Sequence, residues 1–310
     1  MVVATMGRPE RLTRLVDRVL ADPGTAELVV VVDGPDERSI ELLASLAEER
    51  PRLRPLPVTH RGQMGALDAG VRHARRDVVV LLDDDVLPGP ETIAGHLAHH
   101  RNDQGLVVAG SMPVAVPAEG RAAVATRLYA VEYLAHMATI ENGTVDLLDG
   151  LWTGNVSLRR ADCLAVGLAS PAFPVYYHAD TDLGFRLADA GLVGRYDPTL
   201  TAWHLHSRSD GAFRRDAARQ GEGRAALHRA HPDRLGPWSP WLLVTDLPPA
   251  LRVPVAAAGT TRAGVPLAAG LMAGGKVCAR LGLTGAELSA ARVARRVMQW
   301  RGAMTGPPSR

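Results

Sequence analysis

The chain has 310 residues, of which 46% are hydrophobic and 22% charged, a balance that is typical of globular domains and excludes a disordered chain. Its formal net charge of +2 gives no indication of a nucleic-acid partner. Cys163 and Cys278 lie far apart and suit free thiols in a reducing compartment, and no stretch resembles a secretory signal or a membrane span. These features predict a cytoplasmic protein.

Strands and helices alternate over the first 85 residues. Short apolar runs predict buried strands, and the spacing of leucine and valine predicts amphipathic helices between them. In chain order, we predict strands at 2–4, 28–32, 53–58 and 78–82, and helices at 10–20, 39–49 and 65–75. Pro55 and Pro57 place the third strand at an edge. The alternation predicts an α/β fold with a doubly wound, mostly parallel sheet and helices on both faces.

Beyond residue 90 the pattern is less regular. We predict helices at 91–100, 127–137, 159–165 and 180–190, strands at 106–109 and 200–206, and a loop leading into a strand at 151–157. His96, His99 and His100 lie on the first of these helices, whose histidine face we expect to be solvated. The chain from Pro237 onward looks helical. We therefore predict a main domain over 1–235, with halves 1–110 and 111–235, and a helical C-terminal appendage over 236–310.

Three consecutive aspartates, Asp83 to Asp85, follow the strand predicted at 78–82. Adjacent carboxylates at the end of a buried strand repel one another unless a cation or strong donors offset the repulsion. Oxygen ligands suit Mg²⁺ or Mn²⁺, which usually also hold substrate phosphates. Because ligands of such sheets bind at the carboxyl ends of the strands, we expect Thr5 and Asp33 to lie at the same edge. The alternative is a solvated acidic turn.

Four segments, taken in order, resemble family 2 glycosyltransferases of the GT-A fold. They are Ala4–Pro9 with Asp33-Gly34, then Asp83–Asp85, then Trp152–Arg160, and finally Asp180–Leu187 followed by Trp203–Ser207. The resemblance covers residues 1–234. It implies transfer of a sugar from a nucleoside diphosphate sugar, with a UDP-sugar favoured, to an acceptor hydroxyl with inversion, supported by Mn²⁺ or Mg²⁺. Residues 1–110 would then bind the nucleotide sugar, and residues 111–235 would serve the acceptor and catalysis.

The resemblance also implies donor-binding residues. The family's Asp-x-Asp motif falls on the three aspartates, with Asp85 on the metal and Asp83 and Asp84 on the donor. The other positions implied to bind the nucleotide sugar are Thr5, Arg8, Asp33, Asp68, Gly154, Asn155, His206 and Arg208. Two positions depart from the family pattern: Val32 stands where a second acid is usual, and Asp68 where an asparagine is usual.

Two histidines of the strand predicted at 200–206 flank Leu205, so both would point to one face. The family often has a metal-binding histidine here. By this match His204 would bind the metal and His206 the diphosphate.

Asp180 matches the family's catalytic aspartate, although Ala179 replaces the glutamate that usually precedes it. Inverting transfer requires a base on the acceptor side, which removes the acceptor's proton as its oxygen attacks C1. Asp182 is the alternative base, and both acids would otherwise only stabilise a helix start. Trp152 is implied to stack on the acceptor sugar, with a place in the core as the alternative.

Two other classes of protein compete with this interpretation. A nucleotidyltransferase that makes nucleotide sugars would use a similar sheet, but its usual glycine-rich, basic loop is hardly represented by Thr5-Met6-Gly7-Arg8. A non-catalytic nucleotide-sugar-binding protein would not need Asp85, Asp180 and His204. The acceptor, whether a saccharide, a lipid-linked sugar or a small molecule, stays open. The appendage at 236–310 could contact a membrane surface peripherally, form a dimer or cover the acceptor site.

Overall fold

The computed structural model of the protein describes residues 1–115 and 123–305. The chain divides into two units. The first consists of Met1–Ala115, Leu134–Pro171 and Ala179–Leu205, and the second of the described residues within Val116–Tyr133, Ala172–His178 and His206–Arg310. This division falls at His206, whereas the domain boundary between residues 235 and 236 stays a prediction.

Nine strands lie in the described part of the chain, all within the first unit. They are β1 (Val2–Thr5), β2 (Leu28–Asp33), β3 (Leu53–Val58), β4 (Val78–Asp83), β5 (Val86–Pro88), β6 (Leu106–Gly110), β7 (Asn155–Arg159), β8 (Val193–Asp197) and β9 (Ala202–His204). Seven form one sheet in the order β3-β2-β1-β4-β7-β6-β8, while β5 pairs with β9. The sheet is mostly parallel, with β7 antiparallel to both of its neighbours. The predicted α/β fold class is confirmed, and β3 lies at the predicted edge.

The helices follow the predicted order. They are α1 (Pro9–Ala21), α2 (Glu37–Glu49), α3 (Gly62–His73), α4 (Thr92–His99), α5 (Val124–Glu141), α6 (Arg160–Val166), α7 (Ala179–Asp189), α8 (Asp210–Ala230), α9 (Pro232–Leu235), α10 (Pro249–Thr260), α11 (Gly264–Arg280) and α12 (Thr284–Thr305). Among the described residues, none of these helices is both long enough and apolar enough to cross a membrane.

The central strands form because their side chains are apolar on both faces. All six residues of β2 are buried, as in parallel strands that are covered above and below. Helix α3 approaches this sheet closely at Gly70, where a Cβ atom would collide with Val2 and lie 2.8 Å from Val31 Cγ2. Glycine is therefore required at this crossing, and the packing holds the ends of β1 and β2 in one place.

The extended backbone does not end at the three aspartates. A turn at Asp84 and Asp85 leads into β5, which pairs antiparallel with β9 so that Val86 lies opposite His204. Pro88 has no N–H group to donate, which would interrupt the hydrogen bonding inside a larger sheet. It is tolerated here because β5 and β9 form a separate two-stranded ribbon. This ribbon connects the aspartates to the histidine strand.

The expectation of a solvated histidine face on α4 is wrong. His96 and His100 are buried, and His99 is partly buried. The polar rings were expected in solvent, but β7 supplies them with buried partners: the Oγ atom of Ser157 lies 2.9 Å from Nδ1 of His96 and 2.8 Å from Nε2 of His100. Burial lowers the pKa of each ring to about 4, so both stay neutral.

The second unit is helical, as predicted for the C-terminal region. Helix α12 packs against α8 and α11, and their apolar side chains form one core with the start of α5. The contact between α8 and α12 is so close that a Cβ atom at Gly221 would collide with the backbone carbonyl of Gln299. Small residues at this crossing let the two helices approach without a side chain between them.

Candidate active site

The Asp83–Asp85 cluster lies at the carboxyl end of β4, as the sequence predicted. Asp83 is the last residue of the strand and accepts a hydrogen bond from Gln63 Nε2 at 2.8 Å. Gly154 lies against it, because a Cβ atom there would be 2.8 Å from Asp83 Oδ2 and 2.7 Å from the sulfur of Met112. Glycine at position 154 therefore leaves the Asp83 carboxylate its space.

Asp84 points back to the end of β1. Thr5 Oγ1 donates to Asp84 Oδ2 at 2.8 Å, and Arg8 donates to Asp84 Oδ1 at 2.7 Å. Arg8 also lies 3.2 Å from Oδ2 of Asp85. The predicted nucleotide-binding residues Thr5 and Arg8 are thus brought to the aspartates by the parallel pairing of β1 and β4.

Asp85 is the carboxylate that faces histidine. Its Oδ1 atom lies 3.4 Å from Nε2 of His204, while its Oδ2 atom lies 3.2 Å from the guanidinium groups of Arg8 and Arg11. The backbone supports this arrangement, because the Leu205 amide donates to the Asp85 carbonyl at 2.7 Å. The two residues predicted to bind metal are therefore together in the structure.

The three carboxyl groups have different proton affinities. Burial and then the charge of Asp85, with smaller contributions from Asp84 and Asp180 and an opposing one from His204, together raise the pKa of Asp83 to about 7. Burial also raises the pKa of Asp84 and outweighs Arg8. At Asp85, burial is outweighed by His204, Arg8 and Arg11, which hold its pKa well below the usual range. Asp85 is thus the most readily ionised member of the cluster.

The chemistry of these donors fits a divalent cation. One carboxylate oxygen and one imidazole nitrogen are a mixed donor set, and imidazole favours Mn²⁺ over Mg²⁺. With two protein ligands, the remaining coordination positions of the ion would be filled by water and substrate phosphate, as is usual for such ions. Within residues 1–115 and 123–305, no group of three or more His, Cys, Asp or Glu side chains forms a complete metal site by itself. Asp85 and His204 would hold the ion together with the donor.

Asp180 and Asp182 lie two residues apart at the start of α7 and have different surroundings. Asp180 is half-buried at the start of α7, accepts a hydrogen bond from the Thr181 amide at 2.9 Å, and has its pKa raised to about 6 by burial. Asp182 is 3% exposed and forms an ion pair with Arg186 at 2.9 Å. Arg186 also donates to the carbonyls of Gly167 and Leu168. Asp182 is therefore engaged in a structural ion pair, whereas the catalytic roles of Asp180 and Asp182 stay predictions.

Asn155 and Trp152, predicted to contact substrate, have partners within the first unit. Asn155 is 1% exposed; its Nδ2 donates to the Leu200 carbonyl at 2.8 Å and its Oδ1 lies 3.0 Å from His96 Nε2. Trp152 is half-buried and stacks on the His136 ring with centroids 4.9 Å apart. Asn155 thus ties β7 to the segment that leads into β9, and its donor-binding role stays a prediction.

Asp33 and Asp68 are held by other groups. Asp33 accepts from the Arg61 amide at 2.7 Å and lies 2.9 Å from the His60 ring. Asp68 pairs with Arg72 at 2.8 Å on α3 and accepts from the Leu168 amide. Both contacts shape the loops around them, and the nucleotide-binding roles stay predictions.

His206 and Arg208 belong to the second unit. The His206 ring stacks on Tyr129 with centroids 4.2 Å apart and planes 4° from parallel. Arg208 pairs with Asp216 and donates to the Tyr177 hydroxyl at 3.3 Å. Their role at the diphosphate also stays a prediction.

Sequence reasoning missed three side chains that contact the predicted ones. Arg11, one helical turn after Arg8 on α1, was counted only as part of an amphipathic pattern, and that i to i+3 spacing was the available signal. Gln63 at the start of α3 carried no signal. The sequence pattern around His96 predicts a solvated residue and gives no indication of its contacts.

Comparison with known proteins identifies a family. The sequence model of Glycosyl transferase family 2 matches residues 1–161 of the 310-residue chain. The chain belongs to this family. The prediction made from the four segments is therefore confirmed, and the matched range contains Thr5, the three aspartates and Asn155.

Curated relatives of this family 2 chain resemble it over limited lengths. An uncharacterized glycosyltransferase of Bacillus subtilis (strain 168) is 24% identical over 239 residues, covering 59% of this chain and 58% of the relative. The undecaprenyl-phosphate 4-deoxy-4-formamido-L-arabinose transferase of Edwardsiella ictaluri (strain 93-146) is 32% identical over 119 residues, covering 36% of each. The chain thus matches a little over half of the first relative and about a third of the second.

Two solved structures share the fold. A mannosyltransferase from Pyrobaculum calidifontis, in complex with GDP-Man and Mn²⁺, is 19% identical with a TM-score of 0.57, covering 95% of this family 2 chain and 85% of that one. GalNAc-T7 with UDP, GalNAc and Mn²⁺ is 12% identical with a TM-score of 0.53, covering 80% and 51%. At these identities the similarity confirms the GT-A type fold of the family 2 chain.

Proposed function

We propose that this chain is a metal-dependent, inverting glycosyltransferase that moves a sugar from a nucleoside diphosphate sugar to an acceptor hydroxyl. The observation that carries the proposal is the meeting of Asp85 and His204, 3.4 Å apart, at the carboxyl end of β4. A carboxylate and an imidazole at the ligand-binding edge of such a sheet suit an ion that also holds phosphate. The two solved structures described above contain Mn²⁺, which supports the choice of ion.

The metal would be Mn²⁺, or Mg²⁺ as the alternative, held by Asp85 and His204. When bound, such an ion neutralises the negative charge that grows on the leaving nucleoside diphosphate. The protein's own part is to fix the ligands. Arg8 and Arg11 hold one oxygen of Asp85, and the β5–β9 ribbon holds His204 beside the other.

Asp180 would be the catalytic base. It is half-buried, its pKa is raised to about 6, and it is close enough to Asp83 to raise the pKa of that carboxyl group. A base that titrates near neutral pH accepts a proton more readily than an ordinary aspartate and is still ionised at pH 7. Asp182, held in its ion pair with Arg186, is the less suitable base.

The donor would be a UDP-sugar, bound by Asp83 and Asp84 with Thr5, Arg8 and Gly154 around them. These residues contact one another in the first unit, which supports a single binding site for the donor there. Of the two structures with the fold, one holds UDP and the other GDP-Man, so the donor screen must include both bases. Asp33, Asp68, Asn155, His206 and Arg208 complete the donor set that we propose, and Trp152 would contact the acceptor.

The proposed location is the cytoplasm. Both cysteines are free thiols, Cys163 buried and Cys278 half-buried, which suits a reducing compartment. The acceptor would be a saccharide, a lipid-linked sugar or a small molecule. The Edwardsiella relative acts, by its name, on undecaprenyl phosphate, so a polyprenyl-phosphate acceptor belongs in the first panel tested.

The test is an assay of products. The full chain is incubated with UDP- and GDP-sugars, Mn²⁺ and a panel of acceptors, and separately with the same sugars and added pyrophosphate; nucleoside diphosphate and nucleoside triphosphate are measured. We expect release of nucleoside diphosphate that increases with the correct acceptor and falls by about two to four orders of magnitude in Asp180→Asn. Nucleoside triphosphate formed from added pyrophosphate would instead indicate a nucleotidyltransferase, and tight donor binding without either product would indicate a non-catalytic binding protein.

A further inference from the structure

The second unit exposes a set of large apolar side chains that the proposed active site does not use. Helices α10 and α11 both pack on α12, through Val255, Ala256 and Gly259 of the first and Ala268, Met272 and Gly275 of the second. Their other sides are open to solvent. We call these exposed apolar residues, which include those just after α11, the α10–α11 face; they are Leu251, Val253, Val265, Leu267, Val277, Leu281 and Leu283.

The exposure of this face is large for aliphatic residues. Val253 is 64% exposed, Val277 52% and Leu281 69%. Single exposed apolar residues are ordinary on a protein surface, but at 3.6 residues per turn Leu267, Val277 and Leu281 fall within about 80° of one another on the side of α11 away from its buried residues. Helix α10, which packs on α11, adds Leu251 and Val253. Contiguous apolar patches on soluble proteins usually mark a site of protein or membrane contact.

The charges on this stretch are all of one sign. Between Asp246 and Glu287 the chain has no acidic residue and four basic ones, which are Arg252, Arg262, Lys276 and Arg280. Arg252 donates to the carbonyls of Leu247 and Thr245, and Lys276 pairs with Asp210. Arg262 and Arg280 are exposed and form no ion pair with any described residue. The face is therefore apolar with uncompensated positive charge.

We propose that the α10–α11 face binds the surface of a lipid bilayer that contains anionic lipids. Apolar side chains of an interfacial helix enter the boundary between headgroups and acyl chains, and arginines beside them meet the lipid phosphates. A second copy of this chain fits the face less well. In a two-fold symmetric dimer this face meets its own copy, so Arg262 and Arg280 would meet a segment that has no acidic residue between Asp246 and Glu287. Charge complementarity thus selects the anionic membrane.

The test is sedimentation of the full chain with vesicles, without donor or acceptor, so that its result does not depend on transferase activity. Vesicles of phosphatidylglycerol and phosphatidylcholine in equal parts are compared with vesicles of phosphatidylcholine alone. We expect binding to the first and little to the second. Val253→Asp combined with Val277→Asp should abolish sedimentation, because carboxylates would have to enter the boundary region. The matched control is Val193→Asp, an equally exposed valine of the first unit, at 64%.

A second pair of variants tests the charge separately and leaves the apolar side chains in place. Arg262→Gln with Arg280→Gln should weaken partitioning into the anionic vesicles by about 30-fold, at about fivefold for each positive charge near the surface. Circular dichroism confirms that each variant is folded. The proposal is overturned if the unmodified chain does not sediment with anionic vesicles, if the Val253 and Val277 variant binds as well as the control, or if analytical centrifugation shows a dimer that this variant dissociates.

Discussion

Val86 lies opposite His204 in the β5–β9 ribbon, and this pairing places the His204 ring 3.4 Å from the Asp85 carboxylate. The two residues are joined by a ladder that begins one residue after Asp85. A shift of the ladder by one residue would turn His204 to the opposite face of the ribbon, because side chains alternate along a strand. The proposed metal ligands are therefore held in register by the backbone.

This register predicts a difference between the two histidines. His204→Ala should weaken the binding of Mn²⁺ and of UDP together, by about tenfold or more, since even indirect partners of metal ligands are worth that much. His206→Ala should weaken UDP binding and leave its dependence on Mn²⁺ nearly unchanged, because His206 stacks on Tyr129 in the second unit. Calorimetric titration of UDP at several Mn²⁺ concentrations measures both. An unchanged Mn²⁺ dependence in His204→Ala would show that another residue is the metal ligand, and His206 would be the first residue to examine.

The two acids of α7 should separate catalysis from stability. Asp180→Asn removes the proposed base, so turnover should fall by about two to four orders of magnitude while UDP binding is retained. Asp182→Asn breaks the ion pair with the Arg186 side chain. It should lower the free energy of unfolding by about 1–3 kcal/mol and change turnover much less. Steady-state kinetics and urea unfolding of both variants check this, and the reverse pattern would identify Asp182 as the base.

The predictions from sequence succeeded where the signal was local. The valine and leucine runs of β2 and β4 indicated strands buried on both faces, and the alternation with α1 to α3 indicated a parallel sheet whose carboxyl edge carries Asp83. These features depend on neighbours a few residues apart. The parallel order then places Thr5 beside Asp84 with no further information.

The same approach failed where a contact joins distant parts of the chain. The strands β5 and β9 are three residues long and have no periodicity, so their pairing could not be predicted. His96 resembles a solvent-facing residue of an amphipathic helix until β7 supplies Ser157 and Asn155 as its partners. The groups around the Asn155 amide, which are the His96 ring and the Leu200 carbonyl, also come from distant parts of the chain and could not be predicted, while its donor-binding role stays a prediction.

The buried His96 network gives a prediction about stability. His96→Phe keeps an aromatic ring, which is somewhat larger, but leaves the polar groups of Ser157 and Asn155 with one partner fewer. It should lower the free energy of unfolding by about 1–3 kcal/mol, the cost of an unsatisfied buried group. His99→Phe is the matched control, since the His99 ring is partly exposed and its contact with Asp197 should be worth about 1 kcal/mol or less. Urea unfolding of both variants measures the difference, and equal stability would show that the network contributes nothing.

The raised pKa of Asp180 predicts the pH dependence of turnover. Burial raises this pKa to about 6, and the base acts only as the carboxylate. At saturating donor and metal, kcat should be constant above that pH and fall about tenfold for each unit below it. The residual activity of Asp180→Asn should lack this acid limb. A wild-type profile that stays flat down to pH 4 would show that a group with an ordinary aspartate pKa, or none, accepts the proton.

The proposed metal ion can be tested by removing it and adding it back. The unmodified chain and Asp85→Asn are dialysed against chelator and then given the correct donor and acceptor. Release of nucleoside diphosphate is measured before Mn²⁺ is added back and at increasing Mn²⁺ concentrations. We expect no activity in chelator and full recovery with Mn²⁺ in the unmodified chain. In Asp85→Asn, half-maximal activity should require at least about tenfold more Mn²⁺. Full activity in excess chelator, or the same Mn²⁺ dependence in both proteins, would contradict a catalytic metal held by Asp85 and His204.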